Sequence, residues 1–195
     1  MNYSITGATT PMPVLHFFNE FYAKPEGTTN VLINDLINRF CDYYANHSNK
    51  NLIFFRDRYG DQRQPNVANH KSYNKQAIEV FEKRGWKVEE QVHPGKEPPF
   101  SDKYLLWGNL LSEADPNLPK IRFNGTRCKF TLISMNNANT KDYEGRIVKD
   151  KASERKKEVP QEEATHFSDA ADKIVFTKYQ EYRFQNIHDF VPARI

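Results

Sequence analysis

Residues 51–92 read NLIFFRDRYGDQRQPNVANHKSYNKQAIEVFEKRGWKVEEQV, and this stretch decides the fold class. Its first seven residues form a short apolar run rich in Phe and Ile, lying between polar turns. That pattern favours a buried strand. The polar loop DRYGDQRQPNVANHK follows, long for a compact domain and for that reason a functional candidate. Tyr73, Ala77, Val80 and Phe81 then recur at helical spacing, and Gly85 stands where a helix-terminating glycine is expected. The next segment, WKVEEQV at 86–92, alternates as a strand does. Strand, helix and strand in that order argue for an α/β fold, with helices as crossovers over a mixed sheet.

The same alternation extends in both directions. Upstream, VLHFFNEFYA at 14–23 reads as strand and Pro25-Glu26-Gly27 as turn. Thr28 or Thr29 then caps a helix whose inner stripe is Ile33, Leu36, Ile37, Phe40, Cys41 and Tyr44. Downstream, Pro94, Pro98 and Pro99 mark a loop, and Ser101 is placed to cap a helix carrying Tyr104, Leu105, Gly108 and Leu111. A short strand is predicted at 121–124. Thr126 is placed to cap a helix with Cys128, Leu132 and Met135 facing inward. Residues 139–163 are charged and turn-rich, with a hairpin expected around Tyr143, Glu144 and Gly145. A last helix, roughly 164–180, carries Phe167, Ala171, Ile174 and Val175 on one face. The prediction is an α/β fold: a mixed central sheet with helices as crossovers, in one domain over 1–195. An irregular start (1–13) and a C-terminal tail (181–195) flank it.

Bulk properties narrow the class. With 195 residues, 38% of them hydrophobic and 13% aromatic, the chain can bury a core. A formal charge of +3 is compatible with a polyanionic partner without requiring one. The two cysteines, Cys41 and Cys128, form no CxxC pair and lie in apolar helical patterns, so buried free thiols are expected. No apolar run is long enough for a membrane span. The opening MNYSITGATTPMPV lacks the basic start and apolar stretch of a signal peptide, so an intracellular protein is expected. The sequence contains no GxxxxGK[ST], GxSxG or HExxH, which leaves no support for a P-loop ATPase, a nucleophile elbow or a zincin.

The candidate chemistry lies in carboxylates. Asp57 ends a predicted strand and opens a polar loop, the place where open α/β sheets bind ligands. The competing reading is a turn-initiating aspartate, and Asp61 competes for the same role. Asp169 and Asp172 lie three apart on the last helix, hence on one face, where like charges repel unless a cation offsets them. A solvated helix face is the alternative, and His166 reads as a cap or a packed ring. Arg56, Arg58 and Arg63 crowd Asp57, and Lys149, Lys151, Arg155, Lys156 and Lys157 form a basic stretch able to meet phosphates. Asp150, Glu154 and Glu158 interrupt that stretch and weaken its field.

Taken in order, four segments resemble the nuclease half of phage terminase large subunits. They are NLIFFRDRYGDQRQPN, SYNKQAIEVFEKRGWKV, KYLLWGNLLSEADPNLPKIRFNGTRCKFTLISMNNA and KDKASERKKEVPQEEATHFSDAADKIVF. The resemblance covers about residues 14–180, and its specific parts are HFSDA and the upstream strand ending in Asp57. It implies an RNase H-like fold, with a mixed central β-sheet flanked by helices. It also implies an endonuclease that cuts concatemeric double-stranded viral DNA with two divalent metals, Mg²⁺ or Mn²⁺, held by acidic residues. Asp57 matches the family's second-strand acid and Asp169 the acid on its final helix; Asp61 and Asp172 are possible outer ligands. Arg58, Lys149, Lys151 and Arg155 would meet the DNA backbone. The implied partners are the terminase ATPase motor, the small terminase subunit and the portal protein, in the cytoplasm of a bacterial host, with no membrane.

One departure leaves an alternative open. The family's first acid lies on the opening strand, and the corresponding stretch Ser4–Pro11 carries no carboxylate. The second expectation is therefore a catalytically impaired RNase H-like domain that only binds DNA or packaging partners.

Overall fold

The computed structural model describes residues 13–24, 32–62, 71–93, 95–96 and 98–179. The expectations for Ser4–Pro11, the Pro25–Gly27 turn, the Thr28 or Thr29 cap, Arg63 and the tail lie outside the described residues. The chain divides into two compact units, one of residues 1–20 and 95–195, the other of residues 21–94. The fold is α/β, with both parallel and antiparallel strand pairs.

The second unit is the strand–helix–strand predicted from residues 51–92, with one helix before it. Helix α1 spans Leu32–Tyr43, strand β2 Asn51–Phe55, helix α2 Tyr73–Lys83 and strand β3 Lys87–Gln91. Strands β2 and β3 pair in parallel, Asn51 opposite Lys87 through Phe55 opposite Gln91. Ser72 caps α2 through its side chain, which accepts from the Lys75 amide. Gly85 ends the helix at φ +83°, the left-handed conformation a side chain would strain. The core joins Ile37 and Cys41 of α1 to Ala77, Phe81 and Trp86, with Leu52, Phe54 and Val88 of the strands against them.

The first unit holds strand β1 (Val14–Phe17), helix α3 (Phe100–Ser112), strand β4 (Lys120–Phe123) and helix α4 (Lys129–Asn136). The hairpin strands β5 (Thr140–Tyr143) and β6 (Arg146–Lys149) and helix α5 (His166–Tyr179) complete it. Strands β1 and β4 pair in parallel, although more than a hundred residues separate them (Val14 opposite Lys120). Phe17 stacks on Phe123, its partner in register, with ring centroids 4.8 Å apart. Leu106 and Leu110 of α3, Leu118, Ile121, Val175 and Phe176 form the core. The expected hairpin is present, and Glu144 and Gly145 both take positive φ (52° and 73°), the signature of a tight two-residue turn.

Two helix starts differ from expectation. Pro99, not Ser101, stands at the N-cap of α3, and Ser101 lies within the helix. At α4 the cap position is Cys128, and Thr126 lies in the preceding turn. The free amides of α4 are satisfied from a distance: Glu20 accepts from the Phe130 amide at 2.8 Å, the Thr131 amide at 2.7 Å and the Thr131 hydroxyl at 2.6 Å. A carboxylate at a helix N-terminus answers both its unpaired N–H groups and its dipole. Thr131 and Ser134 therefore face inward, and Leu132 is exposed. Both cysteines are buried free thiols, and burial, the largest influence on each, raises their pKa.

The packing of α3 makes a local prediction. Leu110 is fully buried and its neighbour Leu111 is 55% exposed. Leu110→Ala should cost about 2–5 kcal/mol of unfolding free energy, and Leu111→Ala no more than about 0.5. Urea unfolding of the two variants checks this, and equal losses would contradict the assigned helix face.

Candidate functional site

The last helix starts where the charged segment 139–163 ends, and the two meet at one lysine. In β6 the alternation of side chains turns Lys149 toward α5, where only 5% of its side chain remains exposed. Its ammonium donates to Asp172 Oδ2 at 2.7 Å, Asp169 Oδ1 at 2.8 Å and Ser168 Oγ at 3.0 Å. Spacing of three on α5 brings the two aspartates together, as their sequence positions predict. Their mutual repulsion is offset by the ammonium between them.

Neighbouring groups complete the arrangement. Trp107 of α3 donates its indole N–H to Asp172 Oδ1 at 2.7 Å, so both oxygens of that carboxylate are engaged. Lys151 reaches the outer oxygen of Asp169 at 2.5 Å and pairs with Glu154 at 3.4 Å. Ser168 is held in turn: its amide donates to Ser134 Oγ at 2.9 Å and its hydroxyl to the Thr165 carbonyl at 2.8 Å. Asp172 is buried, whereas the Asp169 side chain keeps 37% exposure. Burial alone would raise the Asp169 pKa, but hydrogen bonds and charge from Lys149 and Lys151 outweigh it and hold the carboxyl below its ordinary value. Lys151 moves the opposite way. Desolvation lowers its pKa, and Asp169 and Glu154 more than restore it.

The basic residues singled out from the sequence separate accordingly. Lys149 is buried against α5, Lys151 is half exposed, and Arg58 and Arg155 are exposed. His166 lies on the surface with Nε2 3.1 Å from Gln161 Oε1. Trp107, Ser168 and Ser134 were not among the predicted residues. The one signal pointing to Trp107 was its place next to Leu106 on a helix otherwise read for its apolar face.

In the second unit, Asp57 and Asp61 lie just beyond β2 on a single 3-10 turn, Arg58–Asp61. Asp57 caps that turn, its Oδ1 accepting from the Tyr59 amide at 2.9 Å, and its side chain is exposed. Asp61 accepts from Asn74 Nδ2 at 2.9 Å and from the Arg56 guanidinium, which also pairs with Glu90. The Asn74 bond is the largest influence on Asp61 and, with Arg56, lowers its pKa. Asn74 also donates to the Asp57 carbonyl at 2.6 Å, clamping the turn to the start of α2. A Cβ at Gly60 would stand 2.6 Å from Asn74 Oδ1, so a larger residue there has to displace the Asn74 amide. The structure thus groups Asp57 with Asp61 and Asp169 with Asp172, each pair within its own unit.

Hard divalent ions take oxygen ligands with lone pairs to give. In the first unit both oxygens of Asp172 already accept hydrogen bonds and the inner oxygen of Asp169 faces a buried ammonium; the outer oxygen of Asp169 borders the half-exposed Lys151. Among the described residues, Asp169 and Asp172 so engaged do not by themselves form a two-ion site.

Two predictions follow from these bonds. A carboxyl whose folded pKa is depressed adds stability above its unfolded value near 3.8, and this stability is lost as pH falls through the folded value. Asp169→Asn should therefore flatten the loss of stability between about pH 5 and pH 2; an unchanged acid limb in urea melts at several pH values would refute the assignment. Gly60→Ala should displace the Asn74 amide and cost about 1–3 kcal/mol, read as a lowered urea midpoint.

Among the described residues, no helix is long and apolar enough to cross a membrane. In comparisons with known proteins, no family model, no curated protein and no solved structure matches the chain.

Proposed function

We propose that the chain is the nuclease domain of a phage-type DNA-packaging terminase, an endonuclease acting on concatemeric double-stranded DNA with Mg²⁺ or Mn²⁺. The observation that supports this reading is Asp169. The carboxylate on which the HFSDA resemblance rests stands in the first turn of the last helix, held ionised by two lysines and partly open to solvent. An anionic oxygen of this kind suits a hard cation. In this reading Asp57, exposed just after β2, is the second-strand acid that the family resemblance implies. A bound divalent ion would supply Lewis-acid stabilisation of charge on the phosphodiester oxygens. Of the chain's own groups, Lys151, Arg58 and Arg155 are exposed, and in this reading they meet phosphates, which positions DNA without reading its sequence. The ATPase motor, the small terminase subunit and the portal are the partners of this reading.

A second reading is favoured by a specific observation: the domain docks DNA or packaging partners without cutting. Lys149 already sits between Asp169 and Asp172 and offsets their charge from inside, and the segment Ser4–Pro11 carries no carboxylate.

Plasmid DNA incubated with the protein and Mn²⁺ separates the two. The nuclease reading expects metal-dependent nicking that falls by at least about a hundredfold in Asp169→Asn and in Asp57→Asn. No nicking, together with a salt-sensitive gel shift, would establish docking in its place. Neither nicking nor binding would end both.

A further inference from the structure

An ammonium has three donors, and Lys149 has three acceptors: one oxygen from each aspartate and the Ser168 hydroxyl. The remaining side is closed by the ring of Phe100, 5.5 Å from Nζ to its centroid. The acceptors are fixed from outside the set, Asp172 by Trp107 and Ser168 by Ser134 and Thr165. This shell suits a tetrahedral ammonium. Mg²⁺ would need about six oxygens at roughly 2.0–2.1 Å in octahedral array, whereas the place between the two carboxylates is taken by an ammonium whose side chain is only 5% exposed.

We infer that the Lys149 ammonium is the resident cation of the Asp169–Asp172 pair, held there in place of a metal and not displaced by a divalent ion. The pair then offers a metal only the outer oxygen of Asp169, where Lys151 is half exposed and exchangeable. For the ion at that outer oxygen the inference rests on the nuclease reading. For the lysine between the carboxylates it stands on geometry alone. It replaces the expected two-ion cluster on the last helix with one fixed charge from the chain and at most one exchangeable ion.

The full chain, labelled with ¹⁵N at lysine Nζ, tests this by NMR. The Lys149 ammonium resonance, assigned through its side-chain carbons, should persist unshifted under saturating Mg²⁺. Its loss, or a shift to that of a solvated lysine, would overturn the inference. Lys149→Met supplies the second measurement. Removing the ammonium leaves two facing carboxylates, and calorimetry should show Mn²⁺ binding at least about tenfold tighter than in the wild type. Binding no tighter in a folded variant would overturn the inference. A variant that folds only when Mn²⁺ is present would support it, and the wild-type resonance decides whether or not the variant folds. A persistent resonance without any plasmid nicking would sink the nuclease reading alone. Nicking with a displaced ammonium would sink this inference alone.

Discussion

The first unit is organised around a buried positive charge. Moving a lysine head out of water is costly, and its pairing with carboxylates offsets that cost only when the geometry is good and the remaining hydrogen bonds are made. Lys149 meets both conditions through Asp169, Asp172 and Ser168. The net gain in stability from such a cluster is small, but breaking it by removing one member costs about 3–5 kcal/mol. Its main effect is on specificity of arrangement. It fixes the end of the β5–β6 hairpin on the first turns of α5, and through Trp107 it ties both to α3. Polar contacts thereby add to the apolar core that α3 and α5 already share.

The four aspartates singled out from the sequence fall into two kinds. Asp61 and Asp172 are structural anchors, each bound by a cation and by a neutral N–H donor (Asn74 for the first, Trp107 for the second). Asp57 caps the 3-10 turn after β2, and Asp169 stands in the first turn of α5 between two lysines. Exposure does not follow this division: the Asp61 side chain is 47% exposed, that of Asp169 37% and that of Asp172 8%. Where a carboxylate stands relative to its fixed neighbours, and not its charge alone, sets what it can bind.

Much of the local structure was legible in the sequence, because it depends on short-range periodicity. The βαβ pattern of residues 51–92, its stop at Gly85 and the Glu144–Gly145 turn are set by side-chain alternation and by residues that accept positive φ. What was not legible depends on distant partners. Thr126 looked like a cap for α4, but Glu20, over a hundred positions earlier, supplies those hydrogen bonds. Lys149 looked like one more base in a solvated run, yet it is the buried one, since only the hairpin's register decides which lysine turns inward. Neither outcome is encoded within a window of neighbouring residues. The Asp169–Asp172 spacing did place the two together, but the ammonium between them comes from another element.

The first unit is split along the chain, with β1 and Glu20 on one side of residues 21–94 and everything they bind on the other. During synthesis the inserted unit emerges whole, and its core of Ile37, Ala77, Phe81 and Trp86 can close while later residues are still unmade. Strand β1 leaves the ribosome early and must wait for β4 and α4, with Phe17 unstacked and the Glu20 carboxylate unpartnered in the meantime. Until β4 is made, the aromatic face that Phe17 shares with Phe123 has nothing to cover it.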